Sequence, residues 1–405
     1  MTFQSSALAR IVNGKLCSGC GLCSALAPGK IQMQITESGY LRPTQKEPLS
    51  QEEEKTFSQV CPGGRIAQQS AEGSDDILWG PLLTVRTGSA NDSSLRHHAS
   101  SGGVLSALLL YLLDTKAVDY VVQNSASETR PIENATVESV NRDDIYRAAG
   151  SRYAPSSPLN KLDERLSRPE RFAFVGKPCD VAGLRAFARH DPRVAEKIPL
   201  MLSFFCAGVP SLRGTRDILA KLDVREEDLE RFQFRGDGWP GYATAWTGNG
   251  REVRMSYADS WGSVLSKHLQ FRCKICPDGS GGFADVACAD AWYSDKAGYP
   301  LFEEKDGRSL IVSRTAKGEA LVTAAIAAGY ISAAQIDSVE IEKMQPSQVR
   351  RKQLILSRLS AMALAGRARP RYSGLNLGKA AVTAGLWPNI RSFLGMLRRL
   401  VVRLD

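Results

Sequence analysis

Eight of the chain's nine cysteines fall into two sets of four, and these are the residues whose spacing points most directly to chemistry. The first set reads Cys17-Ser-Gly-Cys20-Gly-Leu-Cys23, with Cys61-Pro62-Gly63 following 38 positions after Cys23. Two-residue gaps let successive thiolates converge, so one loop can hold three irons of a 4Fe-4S cube. The fourth iron then takes a remote cysteine, which in bacterial ferredoxin-type sites commonly precedes proline. Gly19 and Gly21 suit a loop that turns its N–H groups toward sulfide. A four-cysteine zinc site is the competing reading, because zinc also uses C-x2-C pairs. Three evenly spaced cysteines with a distant Cys-Pro favour iron–sulfur.

The second set is Cys179, Cys206, Cys273 and Cys276. The apolar runs 172–176 and 200–205 read as short buried strands, and Cys179 and Cys206 lie at their ends. Open α/β sheets gather their ligands at such ends. Cys273-Lys-Ile-Cys276-Pro277 supplies two further thiols from a loop. Alone, this spacing fits zinc or a redox dithiol as well as a cluster. Beside the first set, a second 4Fe-4S cluster is the better reading. Cys288 lies on a strand pattern and is taken as a small buried hydrophobe.

The elements that must position these thiols form an α/β protein in several parts. Residues 1–75 make a small ferredoxin-like 4Fe-4S module with a polar, Glu-rich insertion at 52–55, and 71–76 reads as a linker. Residues 80–160 and 165–335 read as the N- and C-terminal α/β parts of one region, the second holding the remaining cysteines. The order strand (82–86), glycine turn (Ser100-Ser101-Gly102-Gly103), helix (104–113), strand (118–123) is that of an α/β unit. A helix start with glycines can receive an anionic or electron-rich cofactor, although capping by Ser100 or Ser101 explains the same residues. A polar loop, 149–155, leads into the second part. Gly236-Asp-Gly238-Trp-Pro-Gly241 matches a dinucleotide fingerprint in form only: Pro240 stands where a helix should begin, and 242–247 reads as a strand turning at 248–250. His97 and His98 flank the glycine turn and read as solvated loop residues; His190 and His268 carry no motif.

Charge is distributed unevenly. From Glu340 onward there are thirteen Lys/Arg against three Asp/Glu, so a formal net charge of +9 leaves residues 1–339 at −1. The tail, 340–405, contains two helical stretches, 350–365 and 389–404. The second has Ile390, Phe393, Leu394, Leu397, Leu400 and Val401 at helical spacing between arginines. Such a helix docks on its own domain or lies on a membrane surface or partner. No basic stripe interleaved with aromatics marks the body, so nucleic acid is not an expected partner. The longest apolar run, 104–113, is half a membrane span, and residues 1–12 lack the core of a secretory signal. The expectation is a cytoplasmic protein, with peripheral membrane contact through the C-terminal helix as the alternative.

Taken together, these motifs resemble the coenzyme F-420 hydrogenase/dehydrogenase beta-subunit family. That family includes a ferredoxin-dependent 7-hydroxymethyl chlorophyll a reductase and a divinyl chlorophyllide 8-vinyl reductase. The resemblance covers roughly residues 15–375. It rests on Cys17-Ser-Gly-Cys20-Gly-Leu-Cys23, Ser100-Ser-Gly-Gly-Val-Leu-Ser-Ala-Leu108, Gly150-Ser-Arg-Tyr153, Val175-Gly-Lys-Pro-Cys179, Phe204-Phe-Cys206-Ala-Gly-Val-Pro210, Phe234-Arg-Gly-Asp-Gly-Trp-Pro-Gly241, Arg272-Cys-Lys-Ile-Cys-Pro-Asp278 and Ala284-Asp-Val-Ala-Cys-Ala-Asp-Ala-Trp292. It implies FAD in the α/β region, with Ser101, Gly102 and Gly103 on the flavin and Ser151 and Lys177 beside it. It also assigns Cys179, Cys206, Cys273 and Cys276 to the cluster nearest the flavin. Lys177 stands where the family often has threonine, which puts a cation near the flavin and makes Lys177 the candidate catalytic residue. Cys288 replaces a usual apolar residue.

The chemistry that follows is conversion between single electrons and electron pairs, which a flavin performs and iron–sulfur clusters do not. The expected route runs from a ferredoxin-type donor through two 4Fe-4S clusters and FAD to an organic acceptor substrate, the basic tail steering an acidic ferredoxin. The alternative is an electron-transfer beta subunit of a larger hydrogenase or dehydrogenase complex, with partner subunits and no substrate site of its own. A zinc-stabilised binding protein is the distant third.

Overall fold

The computed structural model of the chain describes residues 3–68, 73–293, 301 and 303–401. The N-terminal stretch begins with helix Ser6–Asn13, the cysteine loop and short helix Leu22–Leu26. The antiparallel hairpin β1 (Ile31–Ile35) and β2 (Leu41–Gln45) follows. The Glu-rich stretch expected to be an insertion is instead the start of helix Gln51–Val60. Ser50 accepts from the Glu53 N–H while the Glu53 carboxylate accepts from the Ser50 N–H, a reciprocal cap. Only Phe57 and Val60 are buried on it, so polarity hid the helix. A short strand, β3 (Arg65–Ala67), follows Cys61. The expected linker also fails in part: Ser74–Asp76 is β4, paired antiparallel with β5 (Gly80–Leu82), while Ala71 and Glu72 lie outside the described residues.

Both α/β stretches supply one eight-stranded sheet. Its strands along the chain are β6 (Thr84–Ala90), β7 (Tyr120–Ala126), β8 (Asn134–Ser139), β9 (Phe172–Gly176) and β10 (Met201–Phe204), then β14 (Val286–Asp290), β15 (Ser309–Ser313) and β16 (Ile331–Gln335). Their order in space is β16-β6-β15-β14-β10-β9-β7-β8. The centre, β7-β9-β10-β14, is parallel and both flanks are antiparallel. Alternate side chains serve two cores, as a sheet buried on both faces requires. Val121, Ala173, Val175 and Leu202 pack with helices Val104–Asp114 and Ala316–Ala327, whereas Tyr120, Val122, Phe172, Phe174 and Met201 pack with helix Pro178–Phe187. In the chain between β10 and β14, a separate antiparallel sheet is formed by β11 (Leu229–Gln233), β12 (Tyr242–Thr247) and β13 (Glu252–Ser256). The strand expected after the glycine-rich match is therefore present, and the dinucleotide reading stays rejected.

The tail returns to the N-terminus. Its strand β17 (Arg371–Ser373) pairs in parallel with β3, and helices Ile355–Leu364 and Leu386–Val401 share a core with Leu8, Ile11 and Phe57. The apolar side of the last helix, with Met396 at 0% exposure, is packed within the molecule. Trp387, Leu394 and Val401 on the same helix are exposed, as are Arg391 and Arg398. Arg403 and Leu404 lie outside the described residues. Among the described residues no helix is long and apolar enough to cross a membrane.

Candidate functional site

The first cysteine set is brought together as the spacing predicts. Gly19 and Gly21 take positive φ (80° and 85°), and the Gly19 N–H points to Cys17 Sγ at 3.4 Å. A Cβ at Gly21 would lie 2.8 Å from the backbone nitrogen of Asn160, so the loop also needs glycine for close packing. Cys61 ends helix Gln51–Val60 and joins Cys17, Cys20 and Cys23 around one small cavity walled by Leu8, Phe57 and Val60. Burial pushes the Cys20 and Cys23 thiols well up and that of Cys61 to about 12; neighbouring thiols add to it, and the Gly63 and Gly64 amides oppose it at Cys61. Deprotonated sulfur here needs positive charge beside it.

The second set forms beside the ends of β9 and β10. Cys179 is in the first turn of helix Pro178–Phe187, and Cys206 is held by its N–H donating to Gly279 O at 2.7 Å. Cys273 Sγ accepts from the Val209 N–H at 3.3 Å, and Cys276 Sγ lies 3.2 Å from Asp278 O. Burial raises the Cys179 and Cys276 thiols and takes Cys206 to about 12, and thiols of the set reinforce one another. The Arg351 guanidinium acts against this, donating to Cys206 O at 2.7 Å and also to Ala207 O.

Sequence reasoning missed the residue between the two sets. Arg272, 2% exposed, donates from Nη2 to Pro62 O at 2.9 Å and stacks on the Tyr372 ring at 5.6 Å. Its Nε and Nη1 have no hydrogen-bond partner among the described residues. Burial opposes its charge, but Tyr372 and the thiols of Cys276, Cys179 and Cys273 outweigh it and hold the pKa above the ordinary arginine value. The only signal was its position directly before Cys273. Among the described residues no group of three or more His, Cys, Asp or Glu is spaced to hold a single metal ion. The first thiol set lines one small cavity with backbone amides close by, and Arg272 and Arg351 lie near the thiols of the second set. Four thiols with cations and amides beside them are a donor set that a 4Fe-4S cube can use.

A cavity of about 320 Å³ opens at the C-terminal ends of β9, β10 and β14. Ser101, Gly103, Ser151 and Lys177 lie on its wall, together with Cys206 of the second set. Gly103 (φ 74°) starts helix Val104–Asp114. The Ser101 hydroxyl reaches Arg308 O at 3.1 Å and Ser309 Oγ at 3.2 Å, and the Ser151 N–H donates to Ser100 Oγ. Gly102, between two wall residues, packs closely against neighbouring strands: a Cβ there would lie 2.6 Å from Ser309 N and 2.7 Å from Gly88 O. Lys177 Nζ is 2.8 Å from Asp180 Oδ2 and 2.9 Å from Ser156 Oγ. Burial works against its ammonium, but Asp180 and Cys179 hold the pKa above the usual lysine value.

Three further features were not foreseen. Arg235 makes a two-pronged pair with Asp290 (2.8 Å each), Trp239 Nε1 donates to the same carboxylate at 2.9 Å, and Trp239 stacks on Trp292 at 4.8 Å. The glycine-rich segment 236–241 thus follows a cavity-wall arginine, a role only its Phe-Arg-Gly start hinted at. Cys288 faces the same cavity as Cys206, and burial pushes its thiol to about 12. His98, read as a solvated loop residue, pairs with Asp237 at 2.7 Å and ends helix Ser93–His98, and His268, which carries no motif, pairs with Asp217 at 2.8 Å.

Two family sequence models match, described as the N-terminal domain (residues 85–163) and the C-terminal domain (residues 169–339) of the coenzyme F420 hydrogenase/dehydrogenase beta subunit. Among curated relatives, a subunit of the F(420)H(2) dehydrogenase of Methanosarcina mazei is 24% identical over 296 residues, covering 71% of this chain and 80% of its own. The coenzyme F420 hydrogenase subunit beta of Methanococcus voltae is 26% identical over 275 residues, covering 65% and 88%. A chain of the F420-reducing [NiFe] hydrogenase complex from Methanosarcina barkeri superposes with a TM-score of 0.56 at 19% identity, covering 72% of this chain and 96% of that one. The last of these is a likeness of fold.

Proposed function

The chain belongs to the coenzyme F420 hydrogenase/dehydrogenase beta-subunit family, and from that premise we propose that it is the electron-transfer subunit of an F420-linked or related oxidoreductase. The relatives' names favour this reading over a self-standing flavin-dependent reductase. The observation that carries it is the sequence of sites: one thiol set, a buried arginine, a second thiol set, then a cavity whose wall includes Cys206. Cys17, Cys20, Cys23 and Cys61 would hold one 4Fe-4S cluster, and Cys179, Cys206, Cys273 and Cys276 the other. Arg272, Arg351 and the Gly19 and Gly63 amides supply the positive charge that buried, anionic sulfur requires.

The finer reading adds FAD in the cavity, where a flavin would convert single electrons to a pair. Ser101, Gly103 and Ser151 would border it, and Lys177, held by Asp180 and Ser156, would present a fixed cation. The partners of this reading are other subunits of a complex, a ferredoxin or similar one-electron donor, and a two-electron organic carrier of the deazaflavin class.

The test mixes the anaerobically prepared chain with reduced coenzyme F420 and methyl viologen. The expected result is F420 oxidation at a rate proportional to the chain, abolished in Cys206→Ser. An iron-loaded chain that passes no electrons between F420, viologen and ferredoxin in any pairing contradicts it.

A further inference from the structure

Next to the Cys61 loop the surface holds a hollow of about 210 Å³ whose lining includes Arg65, Arg185, Arg189 and Arg314 and, among the described residues, no Asp or Glu. Two of the four are engaged below it. Arg314, 1% exposed, donates to the carbonyls of Trp79, Pro81 and Ser280, and Arg185 pairs with Asp285 at 2.7 Å. Arg65 and Arg189 are exposed, with no side-chain partner among the described residues. Arg371, also exposed, is the register partner of Arg65 across the β17–β3 pair and extends the cationic patch outward. Arg65, Arg189 and Arg371 have no acid paired to them among the described residues and repel one another, so this exposed group is complementary to an anionic partner.

The hollow also sits where electrons would enter. Arg65 donates its backbone N–H to Cys61 O at 3.0 Å, and Gln59 precedes Cys61 on the last turn of its helix. The helix whose first turn carries Cys179 presents Ala182 and Arg185 to the hollow, and its Gly183 lies against Pro62. One rigid element therefore joins the arginines to both thiol sets. The floor between the arginines is apolar, with Ile66, Ala182 and Phe283 among its residues. Arg314 is shared among three carbonyls, with only its Nε lacking a hydrogen-bond partner among the described residues, and Arg185 Nη2 lies against Asp285, so a free phosphate would find a single unspent buried donor here. An apolar floor rimmed by exposed arginines has the anatomy of a protein interface.

We propose that this arginine hollow is the docking surface for an acidic one-electron carrier protein that exchanges electrons through the Cys61 side of the molecule. The proposal rests on the electron-transfer reading above, and it moves the encounter from the tail as a whole to Arg65, Arg189 and Arg371.

The experiment uses the full chain prepared without oxygen and an acidic ferredoxin as probe. Bleaching by dithionite reads the clusters. Stopped-flow reduction by ferredoxin reads the encounter, and ferredoxin binding at low salt is measured separately. Arg65→Glu/Arg189→Glu should bleach normally with dithionite, yet lose about tenfold or more in the ferredoxin rate and most of its salt dependence. Arg398→Glu/Arg399→Glu on the last helix should change that rate less than about twofold, as expected for charges outside the docking patch. Equal rates in wild type and the Arg65/Arg189 variant, or an equal loss in the tail variant, would overturn the surface. So would wild-type inhibition by inorganic phosphate at constant ionic strength that the Arg65/Arg189 variant escapes while keeping the wild-type ferredoxin rate, which would mark a small-anion site. Should the wild type fail to bleach but bind ferredoxin through these arginines, the electron-transfer reading fails and the surface stands.

Discussion

Lys177 and Asp180 lie side by side with almost no exposure, 5% and 0%, at the junction of cavity and thiols. Removing one partner of such a pair strands the other charge, which costs about 3–5 kcal/mol, while replacing both by apolar groups costs far less. Asp180→Asn should therefore lower the thermal midpoint markedly, and Lys177→Met/Asp180→Leu should recover most of the loss in the same melting assay. Cys288 gives a second test at this scale. With its thiol pushed to about 12 by burial, it stays protonated at pH 8, so iodoacetamide should leave it unlabelled in the native protein and label it after unfolding, as read by peptide mass. Lys177 was legible because it departs from a motif. Arg272 was not, because nothing in Arg-Cys-Lys-Ile-Cys says that a guanidinium will be buried against a carbonyl 210 residues away.

Elements with one dominant pattern were readable. The strand over 172–176 and the helix starting at 104 occur where their apolar runs place them. Helix Gln51–Val60 was hidden because its polar start outweighed two buried residues, although the Ser50–Glu53 cap was present in the sequence. The β4–β5 hairpin and the β17–β3 pair depend on partners that no local pattern specifies. For the last helix, periodicity left docking and membrane contact both open, and packing against Ile355–Leu364 accounts for its apolar side. Met396→Ala should thus cost about 2–5 kcal/mol in denaturant unfolding, as for a buried methionine, while Leu394→Ala, 57% exposed, should stay within about 0.5 kcal/mol. Equal effects would mean that the helix does not dock as described.

At the scale of the molecule, the sheet explains why thiols scattered from Cys17 to Cys276 converge. Parallel β9 and β10 deliver Cys179 and Cys206 to neighbouring strand ends, and the tail closes the N-terminal thiol loop onto the helix that carries Cys179. The grouping into two sets could be read from spacing, whereas their adjacency and the shared arginine could not, since both arise from non-local pairing. On the proposed reading these eight thiols hold two clusters and so make the chain a conductor of electrons. Iron, acid-labile sulfide and flavin counted on one anaerobic preparation decide whether they do. The predicted result is about eight irons and eight sulfides per chain, falling to about four of each when a single cysteine of either set is replaced by serine. A colourless protein carrying stoichiometric zinc and no sulfide would contradict it.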